Sequence, residues 1–194
     1  MKKLCVLFVG NSYTYCNQMP KVLFAELASE VGYEVEVTQV TKGGYRLCQF
    51  ADPTDEWGMQ LREAIDGAHY DYAVLQEQSL NPITNETQFL DGVRDVMTLI
   101  SADQFVLYAT WGRNDGSPDL KRLGLTCEEM TEGLSAAYNK AGQLFGARVA
   151  EVGKAFLAYA EEHTRDALYI EDNSHPSQIG SAIAARVILE SMIG

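Results

Sequence analysis

The chain has few of the residues that staple a small protein or hand it to a charged partner. Its four cysteines, Cys5, Cys16, Cys48 and Cys127, include no CxxC pair and no regular spacing. Neither a zinc ribbon nor a disulfide framework is encoded, and reduced thiols are expected. His69 and His163 lie apart and near no ligand cluster, so neither a metal nor a cofactor is expected. Basic residues are short: 15 Lys plus Arg stand against 27 Asp plus Glu, a net charge of −12. No positive field offsets phosphate repulsion, which excludes a nucleic-acid groove and disfavours an anionic membrane surface. No stretch approaches the ~18 apolar residues of a membrane span. The opening MKKLCVLFVG has two lysines and an apolar run, but that run is seven residues long and meets Asn11 and Ser12 without a small-residue cleavage site. It reads as a strand, and a cytoplasmic location is the expectation.

What is present is enough for one core. With 194 residues, 46% of them hydrophobic, the chain reads as a single domain spanning 1–194. Lys3 to Val9 is a near-continuous apolar run, as in a strand covered on both faces. Pro20 opens a helical pattern with Leu23, Phe24, Leu27 and Val31 on one face and Gly32 at its end. Further strands are expected at Glu34 to Val40, Tyr70 to Gln76, Gln104 to Ala109 and Arg148 to Val152. Helices are expected at Trp57 to Ala68, Thr84 to Ser101, from Thr126 to about Gly146 behind a Thr126/Glu129 capping box, from about Lys154, and from Pro176 to near Ile193. Thr110 to Leu125 reads as a polar loop. This alternation predicts an open parallel sheet with helices on both faces. In such a fold the ligand lies at the carboxyl ends of the strands, at Gly10 to Asn17, Thr41 to Leu47, Gln76 to Thr84, Thr110 to Leu125 and the loop ending in His175.

Two short segments on that edge could do chemistry. Gly10-Asn11-Ser12-Tyr13-Thr14 follows the first strand, where small residues can hold a nucleophile above the sheet. Asp172-Asn173-Ser174-His175 precedes the last helix, and a carboxylate three residues before an imidazole can orient one ring nitrogen and leave the other free. Each also reads as an ordinary turn. Together with Gly43-Gly44 and Thr110-Trp111-Gly112-Arg113 they resemble the SGNH, or GDSL-like, hydrolase superfamily, in a branch whose first block reads Gly-Asn-Ser. The resemblance covers nearly the whole chain. It implies a three-layer α/β/α sandwich on a five-stranded, mainly parallel, flavodoxin-like sheet, and hydrolysis of an ester through an acyl-serine. Ser12 would be the nucleophile, His175 the general base and then acid, and Asp172 its orienting partner. The resemblance implies a small acyl group such as acetyl, with a carbohydrate as one class of carrier.

One block departs from the family's pattern. Leu75-Gln76-Glu77-Gln78-Ser79 stands where an asparagine normally donates to the oxyanion. Gln76 carries the same amide on a longer stem, and a similar Gln-x-Glu occurs in carbohydrate acetylesterases of the superfamily. The expected oxyanion hole is therefore Ser12 N–H, Gly44 N–H and the Gln76 amide, with Gln78 read as a solvated turn residue. Asn11, Tyr45, Trp111 and Arg113 are expected to bind substrate. Tyr13 and Arg46 would also line the crevice. The same fold hosts phosphoacceptor receivers, whose acidic residues are missing here, and mononucleotide binders, for which Asn11 to Asn17 is a usable loop. A non-catalytic carbohydrate-binding module is the remaining alternative.

Overall fold

The computed structural model describes residues 1–194. In chain order its elements are β1 (Lys2–Gly10), α1 (Ser12–Tyr15), a 3-10 turn (Cys16–Gln18), a π-helical turn (Pro20–Phe24), α2 (Ala25–Glu30), β2 (Tyr33–Thr41), α3 (Leu47–Ala51), α4 (Glu56–Ile65) and β3 (Tyr70–Leu75). There follow α5 (Asn81–Thr84), α6 (Glu86–Leu99), β4 (Ala102–Ala109), α7 (Pro118–Leu123), α8 (Cys127–Phe145), β5 (Arg148–Glu151), α9 (Val152–Glu162), a 3-10 turn (Arg165–Leu168) and α10 (Gln178–Ile193).

The strands form one sheet in the order β2-β1-β3-β4-β5, with every neighbouring pair parallel. Because side chains alternate across a strand, a strand covered on both faces must be apolar at every position. β1 meets this demand from Leu4 to Val9: Val6 and Phe8 point into one core cluster, Leu7 and Val9 into the other. Tyr108 and Val106 against Leu107 and Ala109 repeat the pattern on β4. One cluster is closed by the π-helical turn, α9 and α10 through Phe24, Phe156 and Ile188, the other by α3, α6 and α8 through Phe50, Phe89 and Tyr138. The result is a three-layer α/β/α sandwich. After β2 the chain returns past β1 to build β3, so the direction switches between β1 and β3. The carboxyl ends of those strands are Gly10 and Leu75.

Several elements differ from the sequence expectation for local reasons. The helix behind Pro20 begins as a π-helical turn, in which Met19 O accepts from Phe24 N–H at 2.8 Å. The expected loop from 110 to 125 contains α7, where Ser117 Oγ caps Asp119 N–H at 3.3 Å and Pro118 occupies the first position. α6 starts two residues later than expected, at Glu86, because Asn85 caps Gln88 N–H. α8 is as read: Thr126 and Glu129 exchange capping bonds of 3.1 and 2.8 Å, and Gly146 ends it at φ 68°. No helix is long and apolar enough to cross a membrane.

Candidate active site

The turn after β1 is built around Gly10. A Cβ there would lie 2.5 Å from Thr14 Oγ1 and 2.8 Å from Gln76 Oε1, so only glycine lets the two strand ends approach. Asn11 caps α1, its Oδ1 accepting Tyr13 N–H at 3.2 Å and its Nδ2 donating to Tyr45 O at 3.1 Å. Ser12 therefore stands at the first position of a short helix, where its own N–H has no intrahelical acceptor.

The second segment arrives from the far end of the chain. Asp172 Oδ1 accepts the N–H groups of Ser174 and His175, both at 2.9 Å, and its Oδ2 lies 2.5 Å from His175 Nδ1. Burial raises the Asp172 pKa, but the His175 N–H, the His175 ring and the Ser174 N–H outweigh it and hold the carboxyl below its usual value. Asn173 takes φ 57° to close this loop, and its carbonyl accepts Asn114 N–H at 2.9 Å. Asn17 Nδ2 reaches Pro176 O, Ser177 O and Ser181 Oγ at 2.8 to 3.1 Å and ties the loop to the Ser12 segment. Across this junction Ser12 Oγ lies 2.7 Å from His175 Nε2.

Asn11, Ser12, Tyr13, Gly44, Gln78, Ser79, Arg113, Ser174 and His175 enclose a cavity of about 150 Å³ at this point. It is small and polar, and only Tyr13 supplies an apolar face. Burial raises the Tyr13 hydroxyl's pKa, with the Arg113 charge opposing. Arg113 is itself buried, its guanidinium donating to Tyr13 OH and, at 2.9 Å, to Ser79 Oγ, with Asp119 at 3.4 Å behind it. A larger apolar groove of about 460 Å³ runs between Leu23, Leu27, Tyr159, Ile179 and Ile183, and it holds no nucleophile or imidazole.

Three of the expected site residues sit elsewhere. The Gln76 carboxamide does not face the cavity: it is fully buried, its Oε1 accepts Asn11 N–H at 2.9 Å and Thr14 Oγ1 at 3.0 Å, and its Nε2 donates to Glu77 O. With β3 ending at Leu75, Gln76 packs beneath the turn after β1. Gln78, two residues on, lines the cavity instead. The Gln78 Oε1 accepts the N–H groups of Leu80 and Asn81, which leaves its amide N–H groups without a protein acceptor. Trp111 is fully buried, stacked between Tyr13 at 4.6 Å and Phe156 at 4.4 Å, while its Nε1 donates to Ser174 O at 3.0 Å. It supports the cavity from behind. Tyr45 turns toward Phe50, Trp57 and Asp55 and does not line the cavity. Asn11, Gly44 and Arg113 do line it. Gly44 takes φ 74°, and its N–H has no acceptor within the chain. Ser79 and Ser174 had no signal in the sequence beyond their adjacency to Gln78 and His175. His69 and His163 are surface residues, the first against Ser101 and Asp103 and the second beside Tyr159.

No protein-family model matches the chain, and no curated protein matches it either. Among solved structures it is similar to a candidate SGNH hydrolase from Slackia heliotrinireducens, with a TM-score of 0.83 and 32% identity over 98% of this chain and 100% of that one. A DUF4886 family protein from Bacteroides uniformis matches at a TM-score of 0.78 and 18% identity, over 99% of this chain and 83% of that one. A GDSL-like lipase from Parabacteroides merdae matches at 0.71 and 14%, over 99% and 97%. The last two likenesses are of fold. The first extends to sequence along the whole chain, and with it the chain belongs to the SGNH, or GDSL-like, hydrolases, the serine esterases and acylhydrolases of this fold.

Proposed function

We propose that the protein hydrolyses a short-chain ester, an acetyl ester of a carbohydrate or similar polar alcohol, through an acyl intermediate on Ser12. The observation that carries the reading is the relay in which Ser12 Oγ lies 2.7 Å from His175 Nε2 and His175 Nδ1 lies 2.5 Å from Asp172. With the ring proton on Nδ1 and donated to Asp172, the Nε2 lone pair faces the serine hydroxyl. As Oγ adds to the ester carbonyl carbon its proton passes to Nε2, and the carbonyl electron pair moves onto oxygen. Collapse expels the alcohol, which takes the proton from Nε2. Water then repeats the sequence, giving one proton to Nε2 and regenerating Ser12 as the acid leaves.

The oxyanion is assigned to Ser12 N–H, Gly44 N–H and the Gln78 amide, all borne by residues that line the cavity and none with an acceptor to lose. Asn11 and Arg113, which line the same cavity, take the substrate-facing role. The walls support a short acyl group. Each CH₂ moved from water into an apolar pocket gains about 0.8 kcal/mol, and a polar cavity of about 150 Å³ offers no such gain beyond the first carbons.

The test is a p-nitrophenyl ester series from acetyl to octanoyl, with a serine-directed phosphonate as label. kcat/KM is expected to fall steadily with chain length and the label to sit on Ser12. A preference for octanoyl overturns the short-acyl reading, and label on another serine overturns the mechanism.

A further inference from the structure

Glu77 is fully buried next to the cavity without lining it. Its Oε2 accepts Leu47 N–H at 3.2 Å and its Oε1 accepts Gln78 N–H at 2.6 Å. Leu47 closes the loop that carries Gly44, and Gln78 carries the free amide, so one carboxylate joins two segments 30 residues apart. Its own N–H donates to Tyr138 OH of α8 at 3.1 Å. A carboxylate is an expensive group to bury without a paired cation. The charged and titratable groups that face it are Arg46 on the loop, Cys48 on α3 and Tyr138 on α8, with the Asn81 amide of α5 beside it. Arg46 is exposed and makes no ion pair with it. Burial raises its pKa from 4.5 to about 7, opposed mainly by the Gln78 and Leu47 N–H groups it accepts.

We infer that Glu77 is a positioning residue which holds the Gly44 loop and Gln78 at the spacing an oxyanion requires. It touches no substrate and acts through the two N–H groups it binds. The inference rests on the ester-hydrolase reading above.

Glu77→Gln keeps the volume and replaces one acceptor oxygen with an N–H₂ group that faces an N–H. With p-nitrophenyl acetate as substrate, kcat is expected to fall about 10- to 100-fold with KM within about twofold, because the donors act on the transition state. The variant's kcat profile is also expected to lose the ionisation near 7 that Glu77 contributes in the wild type. In a Gln78→Ala background the same substitution costs less than it does alone, since one of the two groups it positions is already gone. A wild-type kcat in Glu77→Gln, a loss confined to KM, or full additivity with Gln78→Ala overturns the inference. Should Glu77→Gln not fold, Glu77→Asp keeps the charge but reaches one N–H only, and is read in the same way. Phosphonate labelling separates the two levels: an unlabelled Ser12 in the wild type sinks the hydrolase reading itself, whereas full but slower labelling in the variant is the positioning effect.

Discussion

The Gln76 carboxamide oxygen accepts the Asn11 N–H at 2.9 Å, which fastens the turn presenting Ser12 to the end of β3. The same oxygen takes Thr14 Oγ1 at 3.0 Å, and both bonds are buried. Its partner in sequence, Gln78, faces the cavity with its amide N–H groups free. The two glutamines therefore answer mutation differently.

Gln78→Ala is expected to lower kcat about 10²-fold with KM nearly unchanged, because its amide meets charge only in the transition state, and to cost about 1 kcal/mol of stability for the Leu80 and Asn81 N–H groups its Oε1 accepts. Gln76→Ala leaves the Asn11 N–H buried and unpaired, and is expected to cost about 1 to 3 kcal/mol of stability, with activity lost in proportion to the displaced turn. Urea unfolding and steady-state kinetics on both variants check the contrast. A kinetic effect at Gln76 with wild-type stability, and silence at Gln78, reverses the assignment.

Gly10→Ala places a methyl 2.5 Å from Thr14 Oγ1 and 2.8 Å from Gln76 Oε1. Neither neighbour can retreat without breaking its bond to the other, so the variant is expected to lose about 1 to 3 kcal/mol and most of its activity. A variant with wild-type melting temperature and turnover would mean that the turn has slack the distances do not show.

Trp111→Phe keeps an aromatic ring between Tyr13 and Phe156 but removes the Nε1–H donated to Ser174 O. That bond pins the carbonyl next to His175. The expectation is a modest stability loss of about 1 kcal/mol with a several-fold fall in kcat. Trp111→Ala removes the stack itself and is expected to cost about 3 to 5 kcal/mol. Measuring kcat on folded Trp111→Phe distinguishes loop positioning from packing.

Glu77 makes stability depend on pH. Its pKa is raised from 4.5 to about 7 by burial, so over that window the folded chain holds a proton that the unfolded chain has released. Stability then falls as pH rises from 4.5 to 7, by roughly 3 kcal/mol at most, and levels off above. Asp172, with its pKa lowered, contributes in the opposite sense and only at lower pH: its stabilisation is present above its unfolded value of 3.8 and is lost as pH falls below it. Urea midpoints of wild type and Glu77→Gln at pH 5 and pH 8 are the measurement. Equal slopes in the two proteins would show that the dependence comes from elsewhere.

The sequence by itself carried the sheet and the relay. Unbroken apolar runs such as Lys3 to Val9 are demanded wherever both faces of a strand are covered, so periodicity alone announced a parallel sheet between helix layers. Gly-Asn-Ser after the first strand and Asp-x-x-His before the last helix are local patterns, and locally ordered loops deliver them to the same strand edge. The positions it misread are those where a side chain's direction depends on a distant segment. Gln76 and Gln78 are the same residue type two places apart, and which one meets the cavity was decided by β3 ending at Leu75 and by Gly10 admitting the Gln76 stem beneath the turn. Trp111 and Tyr45 looked like crevice aromatics, yet large apolar rings go where a facing layer can bury them: against Phe156 in one case, against Phe50 and Trp57 in the other. Glu77 had no signal of its own, because a carboxylate in a polar string reads as solvated until tertiary packing closes Leu47 and Gln78 over it.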